Sequence, residues 1–288
     1  MIFTVMASEQ GMTVAEFLLR RIPAASQGYL RQLTNKGKVS RRKNSLAWQD
    51  ILASDDVIRL PDSQRLKQLI EIPPPESGPL NIFYESREIL IVDKPSGLAT
   101  HRSLGHENDD LTSRVEALLC QRNDNFSVAP VHRLDLETSG PVLFGKGKRS
   151  ASELGKMFMR QEVDKYYLAL VVGRTQGAGR LRSEVPSKGK IKEAVTEYRA
   201  TSRNDLASLL ELKIETGRQH QIRHQLAEIG HPVYGDLRYG GPRPDGLVRM
   251  FLHCSRLSFV DPFSGAQLDI ESQLPEELKA FTCQYLGE

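Results

Sequence analysis

Apolar residues recur at helical spacing near the N-terminus, and the pattern changes to that of strands beyond residue 80. Leu, Val, Ile and Phe fall at helical intervals over 12–22 and 26–36. This predicts two helices, the second with Ser26 as N-cap and Gly37 as C-cap. A short strand is expected over Val57-Ile58-Arg59-Leu60. The run Ile72-Pro73-Pro74-Pro75-Glu76-Ser77-Gly78-Pro79 can neither continue a helix nor join a central strand, so 71–79 reads as a stiff linker. Beyond it, Ile89-Leu90-Ile91-Val92, Pro141-Val142-Leu143-Phe144 and Tyr166 to Val172 are buried-type strands. Leu206, Ser208, Leu210, Leu212 and Ile214 alternate with their neighbours, as a half-buried strand requires. Helices are expected at 111–120, 150–160 and 275–285. Another is expected over Arg218 to Ile229, where Ile222, Leu226 and Ile229 fall at i, i+4 and i+7. Strands with only occasional helices between them predict an α+β fold with a mixed, largely antiparallel sheet. The expected organisation is a small domain over 1–70, the linker, and a larger domain over 80–288.

Composition adds little. With 39% apolar and 26% charged residues in 288, the chain reads as an ordinary globular protein. No apolar run reaches the roughly 20 residues of a membrane span. The N-terminus MIFTVMASEQ lacks the pattern of a secretion signal. Cys120, Cys254 and Cys283 are dispersed and odd in number, which suggests reduced thiols in a cytoplasmic protein. Net charge is +3, but its distribution is uneven. Between Phe17 and Gln49 stand Arg20, Arg21, Arg31, Lys36, Lys38, Arg41, Arg42 and Lys43, and no acidic residue. Such a run fits a phosphate backbone, and it equally fits a solvated positive face.

Chemistry concentrates in His132-Arg133-Leu134-Asp135-Leu136-Glu137-Thr138-Ser139-Gly140. Asp135 and Glu137 are two apart, so on an extended chain they point to opposite sides. That disfavours a paired-carboxylate site and favours one positioned carboxylate. His220 and His224 are spaced as in H-E-x-x-H, but Gln221 stands where the general base would be. A zinc hydrolase is therefore disfavoured, and no metal is expected.

The 132–140 segment resembles the signature H-R-L-D-x-x-T-S-G of the RluA-type RNA pseudouridine synthases, matching every fixed position. Lys94-Pro95-Ser96-Gly97-Leu98 is similar to the family's K-P-x-G-[LM], and Lys165-Tyr166-Tyr167-Leu168-Ala169 to its K-x-Y-x-A. Gly217-Arg218-Gln219-His220-Gln221-Ile222-Arg223 resembles G-R-x-H-Q-[IL]-R, with Gly230 to Asp236 and Leu252-His253 following in family order. Pro141 stands where the family usually has an aliphatic residue and is expected to cost its strand a donor, and His224 stands where Val is common. The first 70 residues more weakly resemble a small RNA-binding domain carried by many members. Their Ser26-Gln27 departs from its Ser-Arg pair, and its Asn-Gly turn is absent near Asn44.

The resemblance implies an isomerase that needs no cofactor and acts on RNA. Asp135 would be nucleophile or base, Tyr167 would stack under the flipped base, and Arg223 would pair with Asp135. Arg133 would enter the space vacated by the base, and Ile222 would wall the pocket. Arg31, Lys36, Lys38, Arg41, Arg42 and Lys43 would contact RNA, and His132 would be a structural hydrogen-bonding group. Large-subunit ribosomal RNA is favoured as target over transfer RNA, and a monomer is expected. An RNA-binding protein without catalysis is the alternative, disfavoured by the intact set Asp135, Tyr167 and Arg223.

Overall fold

The computed structural model describes residues 1–22, 25, 27–42, 44–71, 80–101, 109–122, 124, 126–187 and 190–287. It divides into two compact units, Met1–Gly78 with His101–Asn123, and Pro79–Thr100 with Asp124–Glu288. The sequence-based boundary did not anticipate the grouping of 101–123 with the first unit. Lys43, Ser26 and linker residues 72–79 lie outside the described residues.

The first unit contains β1 (Ile2–Thr4), α1 (Val14–Arg21), α2 (Gln27–Asn35), β2 (Ser40–Arg41), β3 (Asn44–Ser45), β4 (Val57–Arg59), α3 (Gln64–Glu71) and α4 (Leu111–Gln121). The strands form an antiparallel sheet ordered β1-β4-β2-β3. Thr13 caps α1 by accepting from the Glu16 N–H, and Glu16 answers by accepting from the Thr13 N–H at 2.7 Å. Val14, Phe17 and Leu18 of α1, Leu30 of α2 and Ile58 of β4 share one apolar core. Gly37 follows α2 at φ +64°, a left-handed turn that ends the helix.

The second unit holds two antiparallel sheets. One has the order β5 (Ile82–Glu85), β6 (Ile89–Lys94), β8 (Gly140–Lys146), β7 (Val128–Pro130). The other runs β10 (Ala178–Ser187), β11 (Lys190–Arg203), β12 (Ala207–Ile214), β9 (Asp164–Val172), β13 (Leu252–Val260), β14 (Gln267–Glu271). Helices α5 (Gly147–Met159), α6 (Gln221–Glu228) and α7 (Glu276–Leu286) complete it. Ser208, Leu210, Leu212 and Ile214 are all buried on one face of β12, as the alternation predicts, but Leu206 precedes the strand and is 65% exposed.

The two sheets meet where β8 begins. The Cys254 N–H donates to the Ser139 carbonyl at 2.8 Å, and a Cβ on Gly140 would stand 2.1 Å from the Cys254 carbonyl oxygen. Only glycine permits that approach, at φ +123°. The close crossing holds the 132–139 loop beside β9 and β13.

Two expectations need correction. The helix predicted from Arg218 starts at Gln221, because His220 is left-handed (φ 53°), and it stops at Glu228. Ile229 is therefore 42% exposed and not part of the buried stripe. Pro141 removes no ladder bond. The Leu143 N–H and carbonyl both face away from β6, toward His132 and Val131. By strand alternation the Pro141 nitrogen faces that way too.

Candidate active site

Asp135 lies in the loop between β7 and β8, and that loop is fastened by groups from several directions. Lys94 Nζ donates to the carbonyls of Pro95 (2.9 Å), Leu98 (2.7 Å) and Leu136 (3.0 Å). Burial lowers the Lys94 pKa to about 7, and nearby Asp135 pulls the other way. Three acceptors match the three N–H groups of an ammonium. The Gly97 N–H also reaches the Leu136 carbonyl, and Ser96 Oγ donates to the Glu137 carbonyl. From the other side, Arg249 donates to the Glu137 carbonyl (3.1 Å) and to Ser139 Oγ (2.9 Å). His253 faces the Ser272 carbonyl through Nε2, so Nε2 carries the proton and Nδ1 accepts from Ser139 Oγ at 2.9 Å.

His132 serves the same loop. Its Nε2 accepts the Leu143 N–H at 3.0 Å, and its ring stacks on Phe158 at 4.8 Å. Burial, with Lys165 nearby, lowers its pKa to about 3, so the ring is neutral.

Helix α6 brings Arg223 to the Asp135 carboxylate. Arg223 Nη1 donates to Asp135 Oδ2 at 3.2 Å, while Nε and Nη2 grip Asp236 at 2.6 and 2.7 Å. Tyr239 lies against the guanidinium, 5.1 Å from Cζ to ring centroid. His220 Nε2 stands 3.8 Å from Asp135 Oδ2, and its Nδ1 is 3.1 Å from the Tyr239 hydroxyl. Gln221 pins the start of the helix. Its Oε1 accepts from Thr216 Oγ1 and the Arg218 N–H, and its Nε2 donates to the Val195 carbonyl and Thr196 Oγ1.

Tyr167 stands on β9 opposite Cys254 of β13. Burial, with Cys254 and Asp135 nearby, raises its pKa well above that of a free phenol. Burial also pushes the Cys254 thiol up to about 12. Both groups are therefore neutral at physiological pH. Glu137, the other acidic residue of the loop, is held apart by Arg243 at 2.9 Å.

These side chains surround a cavity of about 620 Å³, whose lining includes Arg133, Asp135, Tyr167, His220, Ile222 and Arg223. That volume suits a small organic ligand or a flipped nucleotide. One carboxylate held by a guanidinium, beside a phenol and an apolar wall, suits attack or proton abstraction at a bound sugar. Among the described residues no group of three His, Cys, Asp or Glu side chains is placed to hold a metal.

The RNA pseudouridylate synthase family profile matches residues 88–228. Ribosomal large subunit pseudouridine synthase C of Vibrio vulnificus is 30% identical over 93% of this chain and 91% of that protein. The chain belongs to the RluA-type family of RNA pseudouridine synthases. Ribosomal large subunit pseudouridine synthase D of Xanthomonas campestris is 35% identical over 71% of this chain and 69% of that protein. The human protein RNA Pseudouridylate Synthase Domain Containing 4 shares the fold, with a TM-score of 0.61 and 22% identity over 72% of this chain and 93% of that one.

Of the residues given a role in the sequence of this synthase, six gather at the cavity: Asp135, Tyr167, Arg223, Arg133, Ile222 and His132. Arg133 is exposed and, among the described residues, makes no ion pair. Arg31, Lys36, Lys38 and Arg42 of the first unit are likewise exposed, without ion pairs among the described residues. Arg41 is bound to Asp56 at 2.7 Å, and Arg21 to Glu9 at 2.8 Å. The sequence reading missed the roles of Asp236, Tyr239, Lys94 and Arg249. Asp236 and Lys94 stand inside quoted motifs, but spacing alone does not reveal which partner each reaches.

Proposed function

We propose that this pseudouridine synthase isomerises uridine in large-subunit ribosomal RNA, with Asp135 as the reacting carboxylate. The observation that carries the role of Asp135 is its carboxylate at a cavity wall, held by Arg223, which is itself gripped by Asp236. The guanidinium holds the carboxylate oriented at the cavity wall, as both attack and proton abstraction require. Tyr167 supports the flipped uracil from below, and Ile222 closes its edge. Arg133, exposed and unpaired among the described residues, enters the stack that the base leaves. The names of the two bacterial relatives support a ribosomal target. Residues 1–70 add RNA affinity through the exposed cations, 71–79 link them to the catalytic domain, and 80–288 perform the chemistry. The enzyme acts in the cytoplasm, in keeping with its three free cysteines.

Two experiments test this reading. Pseudouridine mapping of ribosomal and transfer RNA, from cells with and without the gene, should show pseudouridines missing from the ribosomal set when the gene is absent. Purified Asp135→Asn should fold and bind RNA but form no pseudouridine; measurable turnover would remove Asp135 from its role.

A further inference from the structure

Lys165 has no part in the roles above, yet its placement is unusual for a lysine. It stands on β9 two residues before Tyr167, so both side chains leave the same face of the strand, and both line the cavity. Lys165 is only 6% exposed. Among the described residues its ammonium has neither a hydrogen-bond acceptor nor a carboxylate within ion-pair distance. Neighbouring Asp164 is held instead by Lys213 at 2.8 Å. The contact Lys165 does make is with the Phe158 ring, whose centroid lies 5.4 Å from Nζ. Burial lowers its pKa, and nearby Cys254 and Asp164 pull the other way.

The other buried cations around the catalytic loop are committed. Arg223 serves Asp135 and Asp236, and Lys94 serves three carbonyls. Burying an unpaired charge is expensive, and such a group inside a cavity marks a site where an anion arrives.

The reaction itself generates that anion. When the C1′–N1 bond of uridine breaks, the bonding pair leaves with the base. Negative charge then spreads over N1 and the two carbonyl oxygens of uracil. If Asp135 attacks C1′, its charge is lost in the ester and appears on uracil. If Asp135 takes the C2′ proton, its charge likewise passes to uracil. Rejoining through C5 returns the charge to Asp135, and loss of the C5 proton with protonation of N1 completes the isomerisation. A counter-charge to the detached base helps on either route, and Lys165 keeps its own proton throughout.

We propose that Lys165 donates a hydrogen bond to a carbonyl oxygen of the detached uracil, and that its ammonium stabilises the anion formed when the glycosidic bond breaks. This rests on the reading of the chain as a uridine-isomerising enzyme with Asp135 as its reacting carboxylate. A backbone phosphate is the other oxyanion within RNA. The slight exposure of Lys165 and the flanking rings of Phe158 and Tyr167 favour a flat base over a phosphodiester.

The test compares wild type, Lys165→Met and Asp135→Asn in single turnover on transcribed large-subunit ribosomal RNA. One transcript carries uridine and the other 5-fluorouridine, and consumption of the parent nucleoside is followed after nuclease digestion, because a fluorinated C5 has no proton to lose after rejoining and its product stops at that stage. Fluorine withdraws electrons and stabilises the uracil anion, so the counter-charge matters less on the second RNA. Lys165→Met should lower the saturating rate on uridine roughly 100-fold or more, the scale for a lost electrostatic stabiliser. It should leave RNA affinity little changed, raise the thermal midpoint by removing an unpaired buried charge, and show a clearly smaller defect on the fluorinated RNA. An unchanged rate would overturn the proposal, as would equal defects on the two RNAs. Lost affinity with an unchanged saturating rate would assign Lys165 to a phosphate instead and overturn it too. A wild type that converts no uridine would overturn the functional reading and this proposal with it. An active wild type beside an equally active Lys165→Met overturns this proposal alone.

Discussion

Arg223 divides its donors between two carboxylates, and the division is what makes Asp135 a positioned group. Two N–H groups lock onto Asp236, which fixes the plane of the guanidinium, and a third reaches Asp135. Lysine has the charge but not the fork. Arg223→Lys should therefore fold yet lose on the order of 100-fold in saturating rate, the scale for one misplaced electrostatic donor. Single-turnover kinetics at saturating RNA would reveal it, and a rate near wild type would mean that charge alone suffices. Lys94 acts at the same scale but on stability. Lys94→Met strips the buried Leu98 carbonyl and the Pro95 carbonyl of this donor, whereas the Leu136 carbonyl keeps the Gly97 N–H. At roughly 1 kcal/mol or more per orphaned carbonyl, a loss of about 2 kcal/mol in unfolding free energy is expected. Denaturant titration would measure it.

Among the elements, the crossing of β8 over β13 carries most of the positioning, and it depends on neutral histidine. His253 accepts from Ser139 and donates to the Ser272 carbonyl, and burial lowers its pKa from 6.5 to about 4. Above pH 6.5 both folded and unfolded chains hold this ring neutral. Below it the unfolded chain takes up a proton that the folded chain refuses. Stability contributed here is thus complete above the unfolded value and is lost as pH falls from 6.5 toward 4. The cost is about 1.4 kcal/mol per pH unit for each such group. His132, lowered to about 3, adds to the same acid loss. The thermal midpoint should fall across this window, and His253→Gln should show a shallower fall from a lower starting stability. An unchanged slope in the variant would show that His253 is not the titrating group. Much of this scale was legible in the sequence. The strands β6, β8, β9 and β12 announced themselves by apolar runs or strict alternation. The hairpin β10–β11 did not, because edge strand β10 is rich in Arg, Glu and Ser, and the buried Ala194, Val195, Thr196 and Tyr198 of β11 follow no strict alternation. Helix α3 was hidden beside the proline run. His220 delayed the start of α6 through a left-handed backbone that no spacing rule signals. The cavity residues were readable as motifs, whereas the clamp of Asp236 on Arg223 joins side chains 13 positions apart through a turn and required the fold.

At the scale of the whole molecule, the assigned chemistry sits in one unit and the basic run in the other. A catalytic cavity can select a uridine once it is flipped, but it meets few phosphates. Affinity for a large folded RNA needs contacts spread over more surface. Arg31, Lys36, Lys38 and Arg42 are exposed and unpaired among the described residues, so they can be changed without disturbing the core. Arg41 is left alone because Asp56 holds it. Replacing those four cations by Gln in the full chain should weaken binding to ribosomal RNA and flatten its salt dependence. The slope of log K against log salt should fall by about 0.7 for each single-strand phosphate contact removed. The saturating rate should not move, because none of the four lines the cavity. Filter binding over a range of salt concentrations, with single-turnover rates at saturation, separates the two effects. If affinity and slope match wild type at every salt concentration, the basic run is a solvated face and the first unit binds RNA by other means or not at all.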